Sequence, residues 1–596
     1  MMRPVERAKD IRGTLLRIWD YLKRQRAALV VTVLLVIASS GLALLGPYLM
    51  GLAIDRYIMR GDLSGLARVA LMMIGVYAVT SLTAWLEVYV MTNASQATVR
   101  DIRNDLFIRL QSLSLRFFDQ RPHGELMSRL TNDVETISQV LSSGVTMFLS
   151  ALLSVVGVGT VMLLLNYRLA LVSLITIPLM MALTNYIAKH TRRGFQEQQE
   201  SLGTLNGIIE ETVTGQRVVK AYAREEEAIA KFEVSNRKLQ RAATYARTFA
   251  GTVGPISNFV NNLSFAVVAG VGGWMAVGGL ATVGTIAAFI SYAQRFSRPL
   301  NEIANLWSTI QSAIAGAERV FEIIDQAPEI QDAPDALPLE QVQGDVVFDD
   351  VCFAYEPGVP VLKHVSLHAA PGQTIALVGP TGAGKTTIVN LLTRFYDIDS
   401  GSIRVDGHDI RQLKKDDLRR TLGIVLQDTF LFSGTVMDNI RYGRLDATDE
   451  QVIAAAKLAN ADQFIRRLPQ GYNEPLSERA ANISQGQRQL LAIARAILAN
   501  PGILILDEAT SSVDTRTEKN IQEAMLRLMS GRTSFVIAHR LSTIREADQI
   551  LVINHGEIIE RGTHKELLAQ RGFYYSLYMS QFKGQHDLVP ELQAAE

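Results

Sequence analysis

The stretch that decides the fold of this chain is GQTIALVGPTGAGKTTIVNLL, residues 372–392. It begins as an apolar run typical of a buried strand, continues into a glycine-rich loop and ends at the start of a helix. The loop fits the pattern G-x-x-x-x-G-K-[ST], in which glycines let backbone N–H groups converge on phosphate oxygens and the helix N-terminus adds partial positive charge. The sequence therefore predicts a nucleotide site formed by Gly379, Pro380, Thr381, Gly382, Ala383, Gly384, Lys385, Thr386 and Thr387.

Within this loop two side chains have predicted roles of their own. Lys385 is expected to reach the outer phosphates of the nucleotide, and Thr386 to place its hydroxyl on Mg²⁺. Further along, ILILDEATSSVD at 503–514 is a buried strand that ends in two carboxylates. Asp507 is expected to hold the hydration shell of Mg²⁺, and Glu508 to polarise the attacking water, because adjacent strand residues point to opposite sides.

Three more residues fall where this chemistry needs them. Tyr355 is expected to stack on a purine ring, although a lone aromatic residue is more often packing. Gln427 ends an apolar strand, where its amide oxygen can join the Mg²⁺ shell. His539 ends the strand of TSFVIAHR, where it can hydrogen-bond a γ-phosphate.

The composition excludes several classes of protein. Lys plus Arg and Asp plus Glu each number 59, so the formal net charge is zero and a nucleic-acid partner is disfavoured. The single cysteine, Cys352, excludes an internal disulfide and any multi-cysteine metal site. Hydrophobic residues make up 48% of the 596 and are concentrated in the first half.

That first half is expected to cross a bilayer. A helix needs about 20 residues to span roughly 30 Å of hydrocarbon, and apolar windows of this length recur in series, which disfavours buried helices of a soluble domain. The sequence predicts a transmembrane domain over residues 1–326, with six spans near 27–54, 67–91, 137–165, 168–189, 250–277 and 281–305.

The loops between the spans predict the orientation. The segments before the first span, between the second and third, and between the fourth and fifth are long and rich in Arg and Lys, which places both termini and the second half in the cytoplasm of a multi-pass protein of the inner (cytoplasmic) membrane. Amphipathic periodicity in the long segments predicts that membrane helices continue into the cytoplasm and turn near 117–130 and 214–222. We expect a linker at 327–343, a nucleotide-binding domain at 344–582 and a tail at 583–596.

The order of Tyr355, the glycine-rich loop, Gln427, ISQGQ at 483–487, ILILDE, SSVD and AHR resembles the ATP-binding cassette of ABC transporters. Six spans followed by one cassette resemble the exporter-type half-transporters. The resemblance implies an α-helical transmembrane domain plus an α/β P-loop NTPase cassette with a helical subdomain. It also implies that the two cytoplasmic turns are coupling helices.

In that family two cassettes close head to tail around two ATP molecules. The family pattern then implies that Lys385, Glu508 and His539 act catalytically and that Asp507 acts in the same site. It implies that Ser484, Gly486 and Gln487 contact the ATP held by the partner chain.

The signature departs from the family pattern, which usually reads L-S-G-G-Q. Gln485 replaces the first glycine, and SERA stands at 477–480 where GERG is frequent. Intact residues in its own site beside an altered signature resemble the subunits of heterodimeric bacterial multidrug or lipid exporters. We therefore predict a different half-transporter as partner, with a regular signature and an altered catalytic glutamate; the alternative is a homodimer that tolerates Gln485.

The predicted function is ATP-driven export or flipping of an amphipathic or hydrophobic substrate. The alternatives are a homodimeric exporter or lipid flippase, and an ATP-gated channel or regulatory subunit, which would be expected to lack a glutamate such as Glu508. The sequence does not choose between drug, lipid and peptide. Residues that can contact substrate, or simply lie at helix boundaries and interfaces, are Glu87, Arg295, Arg298, Glu302, Asn258, Asn261 and Asn262.

Overall fold

A computed structural model gives the structure of residues 9–174, 176–339, 342–426, 429–477, 480, 482–507, 515–538 and 544–582. The chain divides into two compact units. Unit 1 comprises Met1–Leu113 and Arg121–Ala327, and unit 2 comprises Ser114–Gln120 and Pro328–Glu596. The fold class agrees with the sequence prediction, because unit 1 is helical and unit 2 combines strands with helices.

Unit 1 is built from helices of 6 to 53 residues. They are α1 (Ile11–Leu22), α2 (Arg26–Leu52), α3 (Leu63–Gln111), α5 (His123–Ser128), α6 (Val134–Gln139), α7 (Val145–Leu165), α8 (Tyr167–Leu174), α9 (Thr176–Thr214), α10 (Gln216–Ala221), α11 (Glu225–Val277) and α12 (Val283–Ile324). Short π-helical turns at Ala53–Ile58, Arg129–Asp133 and Val140–Gly144 extend or join them.

Within the described residues, four helical stretches are long and apolar enough to cross a membrane: Ile11–Ile58, Leu63–Gln111, His123–Leu165 and Glu225–Val277. They contain the predicted spans 27–54, 67–91, 137–165 and 250–277. Of the other two predicted spans, 168–189 includes residue 175, which is outside the described residues. All but the first two residues of 281–305 lie on α12, and this span carries Arg295 and Arg298. These two spans stay predictions.

The two predicted cytoplasmic turns contain short helices. The first turn holds α4 (Leu115–Asp119) and α5, and the second holds α10. Residues 114–120 belong to unit 2, whereas the sequence placed them in the transmembrane domain.

An ion-pair cluster around Arg129 joins several helices of unit 1. The Arg129 guanidinium, with a side chain only 9% exposed, donates to Glu125 at 2.7 Å and to Glu322 of α12 at 3.0 Å. A second arginine of α12, Arg319, donates to both carboxylate oxygens of Asp133. The cluster thus connects α12 with α5 and the π-helical turn that follows α5.

Helices α2 and α12 approach each other backbone to backbone near Gly51 and Gly284. A Cβ on Gly284 would lie 2.1 Å from the carbonyl oxygen of Gly51, so no other residue fits without a shift. Asp55 accepts hydrogen bonds from the Thr282 hydroxyl at 2.5 Å and the Gly284 N–H at 2.7 Å. Its carboxylate therefore satisfies two donors at the start of α12.

Unit 2 contains two main sheets. The strands are β1 (Val346–Glu356), β2 (Val359–Ala369), β3 (Thr374–Val378), β4 (Ser400–Val405), β5 (His408–Asp409), β6 (Leu422–Val425), β7 (Gly434–Thr435), β8 (Pro475–Leu476), β9 (Ile503–Asp507), β10 (Thr533–Ile537), β11 (Gln549–Asn554) and β12 (Glu557–Gly562). One sheet has the order β2-β1-β4-β5 and is antiparallel, and the other has the order β12-β11-β3-β10-β9-β6. In the second sheet only the β11–β12 pair is antiparallel.

The helices of unit 2 pack around these sheets. They are α4, α13 (Lys385–Leu392), α14 (Lys415–Thr421), α15 (Val436–Arg441), α16 (Asp449–Leu458), α17 (Asp462–Ile465), α18 (Gln485–Ala499), α19 (Thr515–Met529), α20 (His564–Gln570) and α21 (Phe573–Phe582). One buried cluster fills the space between the two sheets and α13, and another packs α15, α16, α18 and α19. Because β3 is buried along its whole length between parallel neighbours, its carboxyl end is fixed at the centre of the sheet edge.

Candidate nucleotide-binding site

The glycine-rich loop connects the end of β3 to the start of α13. Gly384 caps α13 at φ 109°, and a Cβ there would lie 2.7 Å from Leu362, so both backbone and space require glycine. Gly382 has φ 81°, but nothing lies within 4 Å of a Cβ built on it. The loop therefore leads into a helix N-terminus through two glycines with positive φ, an arrangement that suits a phosphate group.

Lys385 is buried at the base of this loop. Its side-chain nitrogen donates to the carbonyl oxygens of Gly379 at 2.8 Å and Pro380 at 2.9 Å. Burial lowers the pKa of Lys385 below its ordinary value, and the negative charge of Asp507 opposes that shift. Phosphate oxygens at the loop would compensate the buried ammonium more fully than two carbonyls do.

Asp507 ends β9, and β10 lies between β9 and β3. Because these three strands are parallel, Asp507 and the glycine-rich loop lie at the same edge of the sheet. Thr386, in the first turn of α13, is exposed. A hydroxyl and a carboxylate are hard oxygen ligands, so the residues present fit Mg²⁺.

No cluster of three or more His, Cys, Asp or Glu residues that could hold a metal occurs in the described part of the chain. A metal here would therefore depend on the nucleotide phosphates and water for its remaining ligands, as is usual for Mg²⁺.

Tyr355 lies near the end of β1, and its hydroxyl is tied to α13. It donates to the Thr387 hydroxyl at 3.3 Å and accepts from the Asn390 amide at 3.3 Å. The ring meets Phe353 and Tyr396 edge to face. Tyr355 is thus held beside the glycine-rich loop and remains partly exposed.

The signature residues begin α18. Ser484 is its N-cap and forms a capping box with Gln487: the Ser484 hydroxyl accepts from the Gln487 N–H at 3.2 Å, and the Gln487 side chain accepts from the Ser484 N–H at 2.9 Å. Gly486 is buried. The helix N-terminus is therefore well formed, and its partial positive charge favours an anion.

Gln485 does not occupy a position that needs glycine. It is the first residue of α18, it is exposed, and it is not among the non-glycine residues with positive φ. Ala480, by contrast, has φ 50°, a conformation that favours glycine. Of the two departures from the family pattern, Gln485 and Ala480, only Ala480 adopts a backbone conformation that is unfavourable for a residue other than glycine.

Three predicted site residues, Gln427, Glu508 and His539, lie outside the described residues, as does the predicted tail at 583–596. The structure brings together Tyr355, the loop 379–387 and Asp507. Two residues that the sequence analysis missed, Tyr396 and Asp119, contact this group, because Tyr396 packs on Tyr355 and donates to Asp119. No sequence pattern marks them, since they are 277 positions apart.

This geometry defines a P-loop nucleotide-binding domain that shares one chain with helices of membrane length. Residues 29–300 match the family model described as ABC transporter transmembrane region, and residues 362–511 match the one described as ABC transporter. The chain therefore belongs to the ABC transporter family. It is an exporter-type half-transporter that is embedded in a membrane, binds ATP and couples ATP hydrolysis to transport; half-transporters of this type work as dimers.

Curated relatives match nearly the whole chain. An uncharacterized ABC transporter ATP-binding protein of Bacillus subtilis, YfiC, is 49% identical over 577 residues, or 97% of this chain and 96% of the relative. A fatty acid ABC transporter ATP-binding/permease protein of Mycobacterium tuberculosis is 43% identical over 516 residues, 87% of this chain and 82% of the relative. An ATP-dependent lipid A-core flippase of Syntrophus aciditrophicus is 39% identical over 536 residues, 90% of this chain and 89% of the relative.

Proposed function

We propose that this chain is one half of an ATP-driven exporter of amphipathic, lipid-like molecules, located in the cytoplasmic membrane with its cassette and both termini in the cytoplasm. The proposal rests on one observation: the same chain contains a formed P-loop site and helices that are long and apolar enough to cross a membrane. Two relatives are named for fatty acid and lipid A-core. Those names support a substrate with an acyl chain.

We assign the nucleotide site as follows. Tyr355 stacks on the adenine, the N–H groups of residues 379–387 and the Lys385 ammonium bind the phosphates, and Thr386, Gln427 and Asp507 are the candidate ligands of Mg²⁺. Glu508 orients and deprotonates water, and His539 hydrogen-bonds the γ-phosphate. When bound, Mg²⁺ neutralises charge on the β- and γ-phosphates.

The second contribution to each site comes from the partner. We assign Ser484, Gly486 and Gln487 to the ATP on the partner's P-loop, because an N-terminus of a 15-residue helix favours an anion. Closure of the two cassettes around ATP then drives the membrane helices from one access state to the other, and hydrolysis resets them.

For the partner we propose a different half-transporter. The support is Gln485, whose exposed side chain occupies the first turn of α18, where glycine in the usual signature leaves only backbone. A partner with a regular signature would complete the site on this chain's P-loop. The weaker second site would combine Gln485 with a partner lacking the catalytic glutamate.

The first experiment is the Mg²⁺-dependent ATPase and the oligomeric state of the chain purified alone in lipid. We expect the chain alone to show little ATPase activity and to become more active when it is co-expressed with a second half-transporter. Glu508→Gln in this chain should abolish that increase in ATPase activity. A stable homodimer with substantial, Glu508-dependent turnover would overturn the heterodimer while leaving the exporter in place. Absence of turnover in both would overturn the site assignment.

The role of Gln485 has a matched control. Gln485 and Asp449 each follow the N-cap of a helix that begins with a capping box. Replacing either by glycine should cost about 0.5–1 kcal/mol of helix stability, and Asp449→Gly in addition removes an exposed ion pair with Arg441. Only Gln485→Gly should raise the ATPase of the chain purified alone; equal ATPase for both variants would show that Gln485 does not limit turnover.

Transport is tested in proteoliposomes with fluorescent fatty acid and phospholipid probes. We expect ATP-dependent movement of at least one probe, lost in the Glu508→Gln variant. Equal movement with and without that change would overturn export as the function of the assembly.

A further inference from the structure

Tyr396 connects the short helix α4 to the nucleotide-binding domain. It follows α13 by four residues and is buried. Its hydroxyl donates to the carboxylate of Asp119, the last residue of α4, and the Arg116 guanidinium lies 5.9 Å from its ring centre. Burial, then the hydrogen bond and charge of Asp119, raise the pKa of the Tyr396 hydroxyl, which therefore stays protonated as the donor.

The Tyr396 ring also contacts Tyr355. Their ring centres lie 5.0 Å apart at an interplanar angle of 89°, the edge-to-face arrangement that aromatic rings prefer. Tyr355 in turn is hydrogen-bonded to Thr387 and Asn390 of α13. A continuous set of contacts therefore runs from Asp119 through two tyrosines to the helix that carries the phosphate loop.

The segment that carries Tyr396 is itself fixed. Arg394 is buried at φ 50° and donates to the carbonyl oxygens of Ile410 and Leu413 and to Asp397. Arg419 donates to the Arg394 carbonyl at 2.9 Å and pairs with Glu329 at 2.7 Å. Because its backbone is held at this point, the Tyr396 side chain is positioned by its hydrogen bond to Asp119 and by the contacts of its ring with Tyr355, Phe353 and Arg116.

We propose that Tyr396 is a positioning residue: through its hydrogen bond to Asp119 it fixes the ring of Tyr355, so that the place of α4 sets how firmly the adenine base is held. This rests on the proposed role of Tyr355 as the base-stacking residue. The link predicts an effect on the base alone, because the phosphate loop keeps its own hydrogen bonds to Lys385.

The test compares ATP with inorganic tripolyphosphate, which lacks a base. Dissociation constants for both are measured by direct binding to the full-length protein in its dimer, in a Glu508→Gln background, for Tyr396→Phe, Asp119→Ala, the double variant and Asp119→Asn. Tyr396→Phe removes only the hydroxyl, and Asp119→Asn retains an acceptor.

We expect Tyr396→Phe and Asp119→Ala each to raise the ATP dissociation constant about 3- to 10-fold, the range that one aromatic contact supports. The tripolyphosphate constant should stay unchanged, the double variant should match the single ones, and Asp119→Asn should resemble the wild type. Parallel weakening of both ligands, or additive effects in the double variant, would overturn the proposal.

A matched control separates this role from the loss of any Tyr–Asp hydrogen bond. The Tyr472 hydroxyl donates to Asp462 at 2.7 Å in the helical part of unit 2. Tyr472→Phe should leave both dissociation constants unchanged, and the same base-selective loss there would overturn the proposal. These binding measurements do not depend on ATP hydrolysis. If the variants weaken ATP binding selectively but the dimer shows no ATPase activity, the proposed function is contradicted and the positioning role of Tyr396 is not.

Discussion

Gly382 and Gly358 share one backbone conformation in different surroundings. Their φ angles are 81° and 86°, and neither has an atom within 4 Å of a built Cβ. Alanine at either position should cost about 1–2 kcal/mol in the free energy of unfolding. Only Gly382→Ala places a methyl group in the proposed phosphate cradle, so it alone should weaken ATP binding, by about tenfold or 1.4 kcal/mol. Thermal unfolding and ATP titration measure the two effects; equal ATP affinity in both variants would contradict the cradle.

His564 is predicted to make unit 2 sensitive to acid. Burial first, then the charge of Arg545, lowers the pKa of His564 below its ordinary value of about 6.5. The unfolded chain therefore takes up the proton first, and stability that is complete above about pH 6.5 declines as the pH falls towards the lowered value, by at most about 1.4 kcal/mol per pH unit. His564→Asn should reduce this slope in unfolding measurements between pH 5 and pH 7, to be run at about half-unit steps.

Tyr574 provides the control for that measurement. Its hydroxyl lies 2.7 Å from the ring nitrogen of His564. Tyr574→Phe removes this partner but keeps His564 buried, which is the main cause of the lowered pKa. The variant should therefore keep the slope, and a slope lost in Tyr574→Phe would assign the effect to the hydrogen bond instead.

At the scale of elements, two helices of unit 2 begin with the same capping box. Ser484 caps α18 and Thr448 caps α16, each with a glutamine as the third helical residue. Ser484→Ala and Thr448→Ala should each lower the free energy of unfolding by about 1 kcal/mol. ATPase of the dimer should fall only for Ser484→Ala, since we assign that helix end to the partner's ATP. A similar fall for Thr448→Ala would show that lost stability explains both.

Elements with strong local patterns were predictable from the sequence. The β3–loop–α13 unit was predictable, because an apolar run, a fixed spacing of glycines and a helix start occur within 21 residues. The backbone angle at Gln485 was not predictable, because the pattern L-S-G-G-Q specifies residue types and not φ values. In the structure Gln485 adopts an ordinary helical conformation, and the residue with a positive φ is Ala480. The place of residues 114–120 in unit 2 was also missed, since it depends on a contact between Asp119 and Tyr396 far along the chain.

At the scale of the whole molecule, unit 1 depends on polar contacts as well as apolar ones. Arg129 is almost fully buried and donates to Glu125, Glu322 and the Arg319 carbonyl. Arg129→Ala removes a buried side chain and its hydrogen bonds to partly exposed acceptors, and should lower the free energy of unfolding by about 1–3 kcal/mol. Arg237, paired with Glu233 on the exposed face of α11, is the control, and Arg237→Ala should cost at most about 0.5 kcal/mol. Thermal unfolding in detergent makes the comparison, and equal losses would contradict a structural role for Arg129.

The contact between Gly51 and Gly284 has a consequence for how mutations in this protein are interpreted. Since a side chain on Gly284 would meet the Gly51 carbonyl at 2.1 Å and Asp55 at 2.6 Å, almost every substitution there should abolish export. A deep mutational scan would then score Gly284 as strictly as the phosphate loop, although it touches neither ATP nor Mg²⁺. Intolerance to substitution at Gly284 would then reflect the short distance between α2 and α12 where they cross, and not a role in ATP hydrolysis.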